Sequence, residues 1–372
     1  MASELAAASG GCVRTGIVGG GFMATVHSRA ARAAGSEIVA IASSNPDRAR
    51  RAAAELGIAH AADSVDELLA DPGIDVVHVC TPNSTHVDLA TRVLRAGKHV
   101  VCEKPLATST TDAAELVELA ARSGLVAAVP FVYRYHPMVQ ELRARVAGGE
   151  LGRLITVQGA YLQDWLLEEG DDDWRVGAAG GGSRAFADIG SHLVDLLEFV
   201  TGERIASLHA TTSIVHPVRG GAAVTTEDVA AVAVRFDRGA IGTLLVSQTA
   251  AGHDNDLRIE VMGTATAMSF VQQEPEALRI GRRGSVTLAR RGFAGASGAA
   301  QELSLVPGGH PMGYQDAFNA FVRDVHAAIG GDLRERMPAF ADGARMVRVT
   351  DAVLDSAASA AWVGIDGVGV NA

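Results

Sequence analysis

The sequence predicts an α/β protein of two domains: a doubly wound parallel sheet, followed by an α+β domain on a mostly antiparallel sheet. Three observations predict this. The chain has 372 residues, more than one core of ordinary size occupies. Up to about Tyr133, short apolar runs alternate with helix-length segments. Beyond it, longer alternating runs follow one another, several joined by hairpin-like turns such as "DRGAIG". The boundary falls at "FVYRYHP", dividing the chain into 1–132 and 133–372.

Element by element, "TGIV" is a strand, and the glycines after it open a small-residue helix reaching about Ala34. "EIVAIA" is the second strand; Asn45-Pro46 starts the next helix and Gly57 ends it. "SVDELLA" is a short capped helix and "DVVHVC" a buried strand. "STHVDLATRVLRAG" is a helix stopped at Gly97, and "KHVVCEKP" a strand. A helix over "DAAELVELAARSG" and a strand over "LVAAVPFV" complete the series. Strands and helices in this alternation make a parallel sheet with both faces covered. The second half offers strands such as "LITVQGAYL", "VAAVAVRF" and "DLRIEVMG", with one helix from Asp188 to Val200 and more at the end.

Composition narrows the function class. Hydrophobic residues are 48% and charged residues 20%, ordinary for a globular protein. The net charge of −11, with basic residues scattered, argues against nucleic acid or an anionic membrane surface as partner. Cys12, Cys80 and Cys102 are odd in number and show no C-x-x-C spacing. That disfavours a disulfide framework and a structural zinc site, and fits a reducing cytoplasm. The first eleven residues lack the basic start and leucine-rich middle of a signal peptide and are read as a frayed tail. No apolar stretch is long enough to cross a bilayer.

"GGGFMA" satisfies G-x-G-x-x-G/A through Gly19, Gly21 and Ala24, with Phe22 and Met23 between them, after a strand and opening a helix. Gly19 makes the tight turn, Gly21 lets backbone amides approach a pyrophosphate, and Ala24 permits close helix–sheet packing. Where a carboxylate would grip the ribose of NAD at the end of the second strand, this chain has Ser43 and Ser44. Those hydroxyls, the Asn45 amide and Arg48 can donate to a 2′-phosphate, which points to NADP over NAD. "SSNP" also serves as a helix cap, and both readings can hold.

"CTPNSTH" and "CEKP" each follow a strand, at the carboxyl edge where doubly wound sheets bind ligands. Lys104 there can polarise a substrate oxygen. "ADIGSHLVDLLEFV" puts Asp188, His192 and Asp195 on one helix face, with Leu193, Leu196, Leu197 and Val200 as the apolar positions. A histidine beside carboxylates can act as a general base. No third ligand is placed by spacing, so no metal is expected.

These motifs, in this order, resemble the Gfo/Idh/MocA family of sugar and inositol oxidoreductases: "GIVGGGFMATVHS", "CTPNSTHVDLATRVLRAGKHVVCEKPLA", "FVYRYHP" and "ADIGSHLVD". The likeness runs from about Arg14 to the final helix, and "AGKHVVCEKP" is highly specific. It implies a Rossmann domain, then an α+β domain whose large open sheet packs against a second subunit in a homodimer or homotetramer. It implies that His192 takes a proton from a sugar hydroxyl, that Lys104 holds that oxygen, and that Asp188 orients or supports the site. It also implies a Lys104–Pro105 bond that is often cis. Thr81, Pro82, Asn83 and His86 match the loop beside the cofactor, and Glu103 the acid lining it. Tyr133 of "FVYR" falls among the substrate contacts.

"GAYLQDWLLEEGDDDWRVG" further resembles the family's levoglucosan dehydrogenase subgroup. That implies Tyr161, Gln163, Asp164 and Trp165 near the sugar and Arg175 near cofactor or substrate. Trp165 and Trp174 are equally well read as domain packing. Val132 replaces the family's asparagine, which removes one hydrogen bond, and "PGGHPMGYQDAF" adds unranked pocket candidates. The reading is an NAD(P)-dependent dehydrogenase of a sugar or polyol. Its competitors are a glycosidase using tightly held NAD on the same fold and a non-catalytic nucleotide sensor. Retention of both Lys104 and His192 counts against the sensor.

Overall fold

The computed structural model describes residues 12–171, 173–176 and 181–365. The expected frayed tail lies outside the described residues.

Six strands form the first sheet: β1 (Arg14–Val18), β2 (Glu37–Ala42), β3 (His60–Ala61), β4 (Val76–Val79), β5 (His99–Cys102) and β6 (Ala127–Ala128). All pair in parallel, in the order β3-β2-β1-β4-β5-β6. Between them run α1 (Phe22–Ala33), α2 (Pro46–Leu56), α3 (Val65–Ala70), α4 (His86–Arg95) and α5 (Thr110–Ser123). The caps are those the side chains dictate. Asn45 Oδ1 accepts the Arg48 N–H at 2.9 Å, Pro46 takes the first helical position of α2, and Gly57 closes it at φ 63°. Strand order reverses between β1 and β4, which opens a crevice at their carboxyl ends.

The second sheet grows from β7 (Leu154–Leu162), β8 (Ile205–Ser213), β11 (Val229–Phe236), β12 (Ile241–Ser247) and β13 (Asp256–Gly263). β14 (Ala267–Val271), β15 (Ala277–Arg282), β16 (Ser285–Arg290) and β17 (Val363–Gly364) extend it. The nine strands run β16-β15-β14-β13-β7-β12-β11-β8-β17, antiparallel except where β7 meets β12. β9 (Val218–Arg219) and β10 (Ala222–Ala223) form a separate hairpin. One face of the large sheet is covered by α6 (Pro137–Ala147) and α7 (Ser191–Thr201). α7 seats Leu193 and Leu197 over Gly159, where an added Cβ would lie 2.9 Å from Leu193. The other face is open, and Ile241, Thr243 and Leu245 of β12 are exposed on it.

After the short α8 (Gly298–Leu303), the chain returns to the first sheet. α9 (Tyr314–Ile329) lays Phe318, Phe321 and Val325 against Val26, Val76, Val101 and Ala128. α10 (Phe340–Ser359) packs on α5. The segment after Tyr133 is therefore not confined to the second sheet. The physical reason is that α4 and α5 cover only one face of β4–β6, leaving the other for α9. Among the described residues no helix is long and apolar enough to cross a membrane.

Candidate active site

The carboxyl ends of β1, β2, β4 and β5 open into a cavity of ≈ 1070 Å³ between the two sheets, roomy enough for a dinucleotide and a small second molecule. Gly19, Gly21, Phe22 and Met23 line one end. Gly19 has φ 116°, and an added Cβ would lie 2.2 Å from the Cys80 carbonyl oxygen, so only glycine fits this turn. Gly21 is the residue before α1, and a Cβ on it meets nothing within 4 Å. The space in front of the helix start is thus open at Gly21, as an anionic pyrophosphate approaching the first-turn amides requires. The structure fits a bound dinucleotide. Beside it lie Ser43, Ser44 and Arg48, with Arg48 Nη1 donating to Ser44 Oγ at 3.4 Å. Arg51 and Glu55, one and two turns along α2, also line the cavity and went unremarked in the sequence. Asn45 spends its oxygen on the helix cap.

Lys104, Asp188 and His192 meet at the other end. Lys104 is the second residue past the end of β5, and its bond to Pro105 is cis. Its Nζ donates to Asp188 Oδ1 at 2.5 Å and to the Asp188 carbonyl at 2.8 Å. Gln248 Nε2 donates to Asp188 Oδ2 at 2.9 Å, and Arg175 Nε lies 3.7 Å from Oδ1. Burial pushes the Asp188 carboxyl up, but Lys104 and Arg175 outweigh it and hold it below its ordinary value. The His192 pKa is brought down to about 3, first by burial and then by the Lys104 charge. Its Nδ1 is enclosed with no hydrogen-bond partner among the described residues, and Phe131 and Tyr133 pack edge-on against the ring.

A π-helical turn, Phe186–Gly190, carries Asp188 into α7, a feature that strict i, i+4 spacing does not foresee. Glu227 anchors its start by accepting from Ser183 Oγ at 2.6 Å and from the Phe186 N–H at 2.9 Å. Asp195, expected to share the His192 face, pairs instead with Arg134, at 2.5 and 2.9 Å, and takes no part in the site.

Tyr133, Tyr161 and Gln163 line the cavity as expected, and Asn255, unremarked in the sequence, ties them together. Asn255 Oδ1 accepts from Tyr161 at 2.7 Å and from Gln163 at 2.8 Å, while the Tyr133 and Tyr161 hydroxyls stand 2.5 Å apart. Burial pushes both phenols up, so they stay neutral hydrogen-bonding groups. Thr81, Pro82, Asn83, Glu103 and Arg175 also line the cavity, as do Tyr314 and Phe318 of the unranked segment. Three expected residues stand off it. The His86 ring sits between the Thr81 and Pro105 carbonyls, 2.8 and 2.7 Å from its two nitrogens, and donates to one of them, so it braces the two loops. Trp165 donates to Gln163 at 2.7 Å and packs into a satellite core with Leu166, Val176 and Val224. Asp164 accepts the Gly252 N–H at 3.1 Å.

Trp174 and Arg175 reach the cavity from a loop fastened by β9. Arg219 donates to the carbonyls of Leu166, Glu168 and Asp171 at 2.6, 2.5 and 2.9 Å. Arg219→Ala is expected to speed proteolytic nicking of this loop about tenfold or more, because several charge-assisted bonds are lost at once. Timed proteolysis read by mass spectrometry measures it, and an unchanged nicking rate contradicts this role.

Comparison with known proteins agrees with the geometry. Residues 13–131 match the oxidoreductase family with an NAD-binding Rossmann fold, and 139–269 match the GFO/IDH/MocA C-terminal domain. Levoglucosan dehydrogenase of Pseudarthrobacter phenanthrenivorans is 30% identical, over 95% of this chain and 98% of its own. The chain belongs to the Gfo/Idh/MocA oxidoreductase family. Two solved structures are similar to this family member throughout. Levoglucosan dehydrogenase in complex with NADH and levoglucosan superposes at TM-score 0.90, with 27% identity, over 96% of this chain and all (100%) of that one. An inositol dehydrogenase homologue of Azotobacter vinelandii, in complex with NADH and myo-inositol, does so at 0.88, with 27% identity, over 95% and 98%.

Proposed function

We propose that this oxidoreductase oxidises a secondary alcohol of a sugar, anhydrosugar or inositol with a nicotinamide dinucleotide as acceptor. The observation that carries the reading is one cavity with the glycine turn at one end and Lys104, Asp188 and His192 at the other. The hydroxyl- and amide-bearing wall of Tyr133, Tyr161, Gln163 and Asn255 supports a polyhydroxylated substrate. So do the sugar and inositol bound by the similar structures.

The nicotinamide, when bound, supplies the two-electron acceptor for the C–H bond. His192 takes the hydroxyl proton at Nε2, and its lowered pKa keeps the ring neutral and able to accept at physiological pH. Lys104 has three donors, two committed to Asp188, and the third holds the alcohol oxygen and steadies its developing charge. Asp188 has both oxygens engaged, by Lys104 and Gln248, so it positions Lys104 and balances its charge and is not the base. The backbone of Gly19 and Gly21 with Phe22 and Met23 would hold the pyrophosphate end, and Thr81, Pro82, Asn83, Glu103 and Arg175 the rest of the dinucleotide. A panel of sugars, anhydrosugars and inositols, read by nicotinamide absorbance with each nucleotide, tests the reading. Reduction with at least one of them is expected; none with any sinks it.

The same reading extends to NADP binding at least as tightly as NAD. Ser43 and Ser44 replace a carboxylate, and Arg48 and Arg51 line that rim, with Glu55 further along α2. Replacing both arginines by alanine is expected to raise the NADP Kd about tenfold and the NAD Kd much less. A clear calorimetric preference of the wild type for NAD refutes it. The open face of the nine-stranded sheet supports a homodimer or homotetramer, which a monomer in sedimentation velocity would contradict. Three free cysteines suit a cytoplasmic location, testable by fractionation.

A further inference from the structure

The first sheet holds a buried row of titratable side chains that the chemistry above does not use. His27 on α1 and His78 in β4 are wholly buried, and Glu103 follows β5. His27 Nε2 lies 2.9 Å from Glu103 Oε1, and His27 Nδ1 lies 2.8 Å from His78 Nδ1. The second Glu103 oxygen accepts the Lys104 backbone N–H at 3.1 Å. His78 Nε2 has no hydrogen-bond partner among the described residues. Phe318 packs on the His27 ring with centroids 4.7 Å apart.

Proton counting sets the charge of this row. A carboxylate only accepts, so the hydrogen between His27 and Glu103 belongs to His27 Nε2. One hydrogen also lies between the facing Nδ1 atoms. If it belonged to His27, that ring would be an imidazolium, and His78 would carry its proton on Nε2 as a buried donor without an acceptor. If His78 Nδ1 donates, both rings are neutral and His78 Nε2 is a bare lone pair, the less costly orphan. Burial, then the neighbouring His27 and His326, lowers the His78 pKa well below the ordinary histidine value, in accord with a neutral ring. Burial pushes the Glu103 carboxyl up, yet the hydrogen bond and the electrostatic pull of His27, followed by the Lys104 charge, hold it below its ordinary value. Around it, Lys104 and Arg175 are matched by Asp188 and Asp173, so the charge of Glu103 is left over.

From this geometry we propose that His27 and His78 are positioning residues that fix Glu103 as an uncompensated anion beside the dinucleotide, favouring the oxidised, cationic nicotinamide over the reduced, neutral one. The inference rests on the nicotinamide reading of the cavity. The oxidised ring carries one more positive charge than the reduced ring. A fixed anion in a partly enclosed cavity therefore stabilises the oxidised form selectively.

Calorimetric titration of the intact chain with NAD+ and with NADH tests this without turnover. Glu103→Gln, nearly isosteric, is expected to raise the NAD+ Kd about tenfold and leave the NADH Kd within about twofold. His27→Ala is expected to move the ratio the same way, because the carboxylate loses its buried donor. His27→Gln, which keeps an N–H there, is expected to restore part of it. Equal shifts for both nucleotides in a Glu103→Gln protein with wild-type circular dichroism would overturn the proposal. A folded His27→Ala protein with the wild-type ratio would overturn the positioning role. Failure of the wild type to bind either nucleotide would sink the nicotinamide reading itself, whereas binding of both with an unmoved ratio sinks this inference alone.

Discussion

His192→Ala is expected to lower kcat by about 10²- to 10⁴-fold while leaving nucleotide affinity within about twofold. The substitution removes the proposed proton acceptor but touches nothing at the glycine turn, which lies at the other end of the cavity. Lys104→Ala is expected to be comparably damaging, since it strips the oxygen of its donor and leaves Asp188 buried without its closest cation. Turnover kinetics beside calorimetry separate the two effects, and wild-type turnover in both variants would end the assignment. The pH profile gives a sharper test. Neutral imidazole is the active base, and burial followed by the Lys104 charge brings the His192 pKa down to about 3. The neutral form therefore persists as pH falls well below 6.5, and the alcohol-oxidation rate should hold to about pH 4 where His192 alone limits it. Lys104→Ala removes the second of those causes, so the acid limb of its residual rate should move to higher pH. A wild-type limb near 6.5 would contradict the buried, neutral base.

The parallel sheet and its ligand edge were legible because they are written in local patterns. Apolar runs, Asn45-Pro46, Gly57 and Gly97 each act on their own few residues, and α2 and β5 lie where those signals put them. The lysine and histidine were legible as motifs with chemistry attached. What the chain did not disclose is the partner each side chain finds across the fold. Asp195 sits one turn from His192 in sequence, yet Arg134, from another segment, outcompetes the histidine for it. Asn255 carries no motif; it matters because β13 pairs with β7 and brings its start beside Tyr161. His86 looked like a cavity residue, but two carbonyls at 2.7 and 2.8 Å claim its ring first. The face of β4–β6 left bare by α4 and α5 is filled from the far end of the chain, which no local period announces.

Gly19→Ala and Gly21→Ala are expected to fail in different ways, although they stand two residues apart in one turn. At Gly19 the backbone has φ 116°, and a methyl would sit 2.2 Å from the Cys80 carbonyl oxygen and 2.7 Å from its carbon. The Gly19 N–H donates to the Ala42 carbonyl at 2.9 Å, and the Cys80 N–H to the Val18 carbonyl at 2.7 Å, so neither strand end can step aside cheaply. Alanine there should cost about 3 kcal/mol or more of stability and weaken nucleotide binding as well. At Gly21 a methyl meets nothing within 4 Å, and the backbone lies at φ −94°, open to any residue. Gly21→Ala should therefore melt within a degree or two of the wild type, yet its methyl points into the space a pyrophosphate must enter. Its nucleotide Kd should rise about tenfold or more. Thermal melting and calorimetry on the two variants separate a fold-bearing glycine from a ligand-admitting one. Undiminished nucleotide affinity in a stable Gly21→Ala protein would mean that the phosphates do not bind at the start of α1.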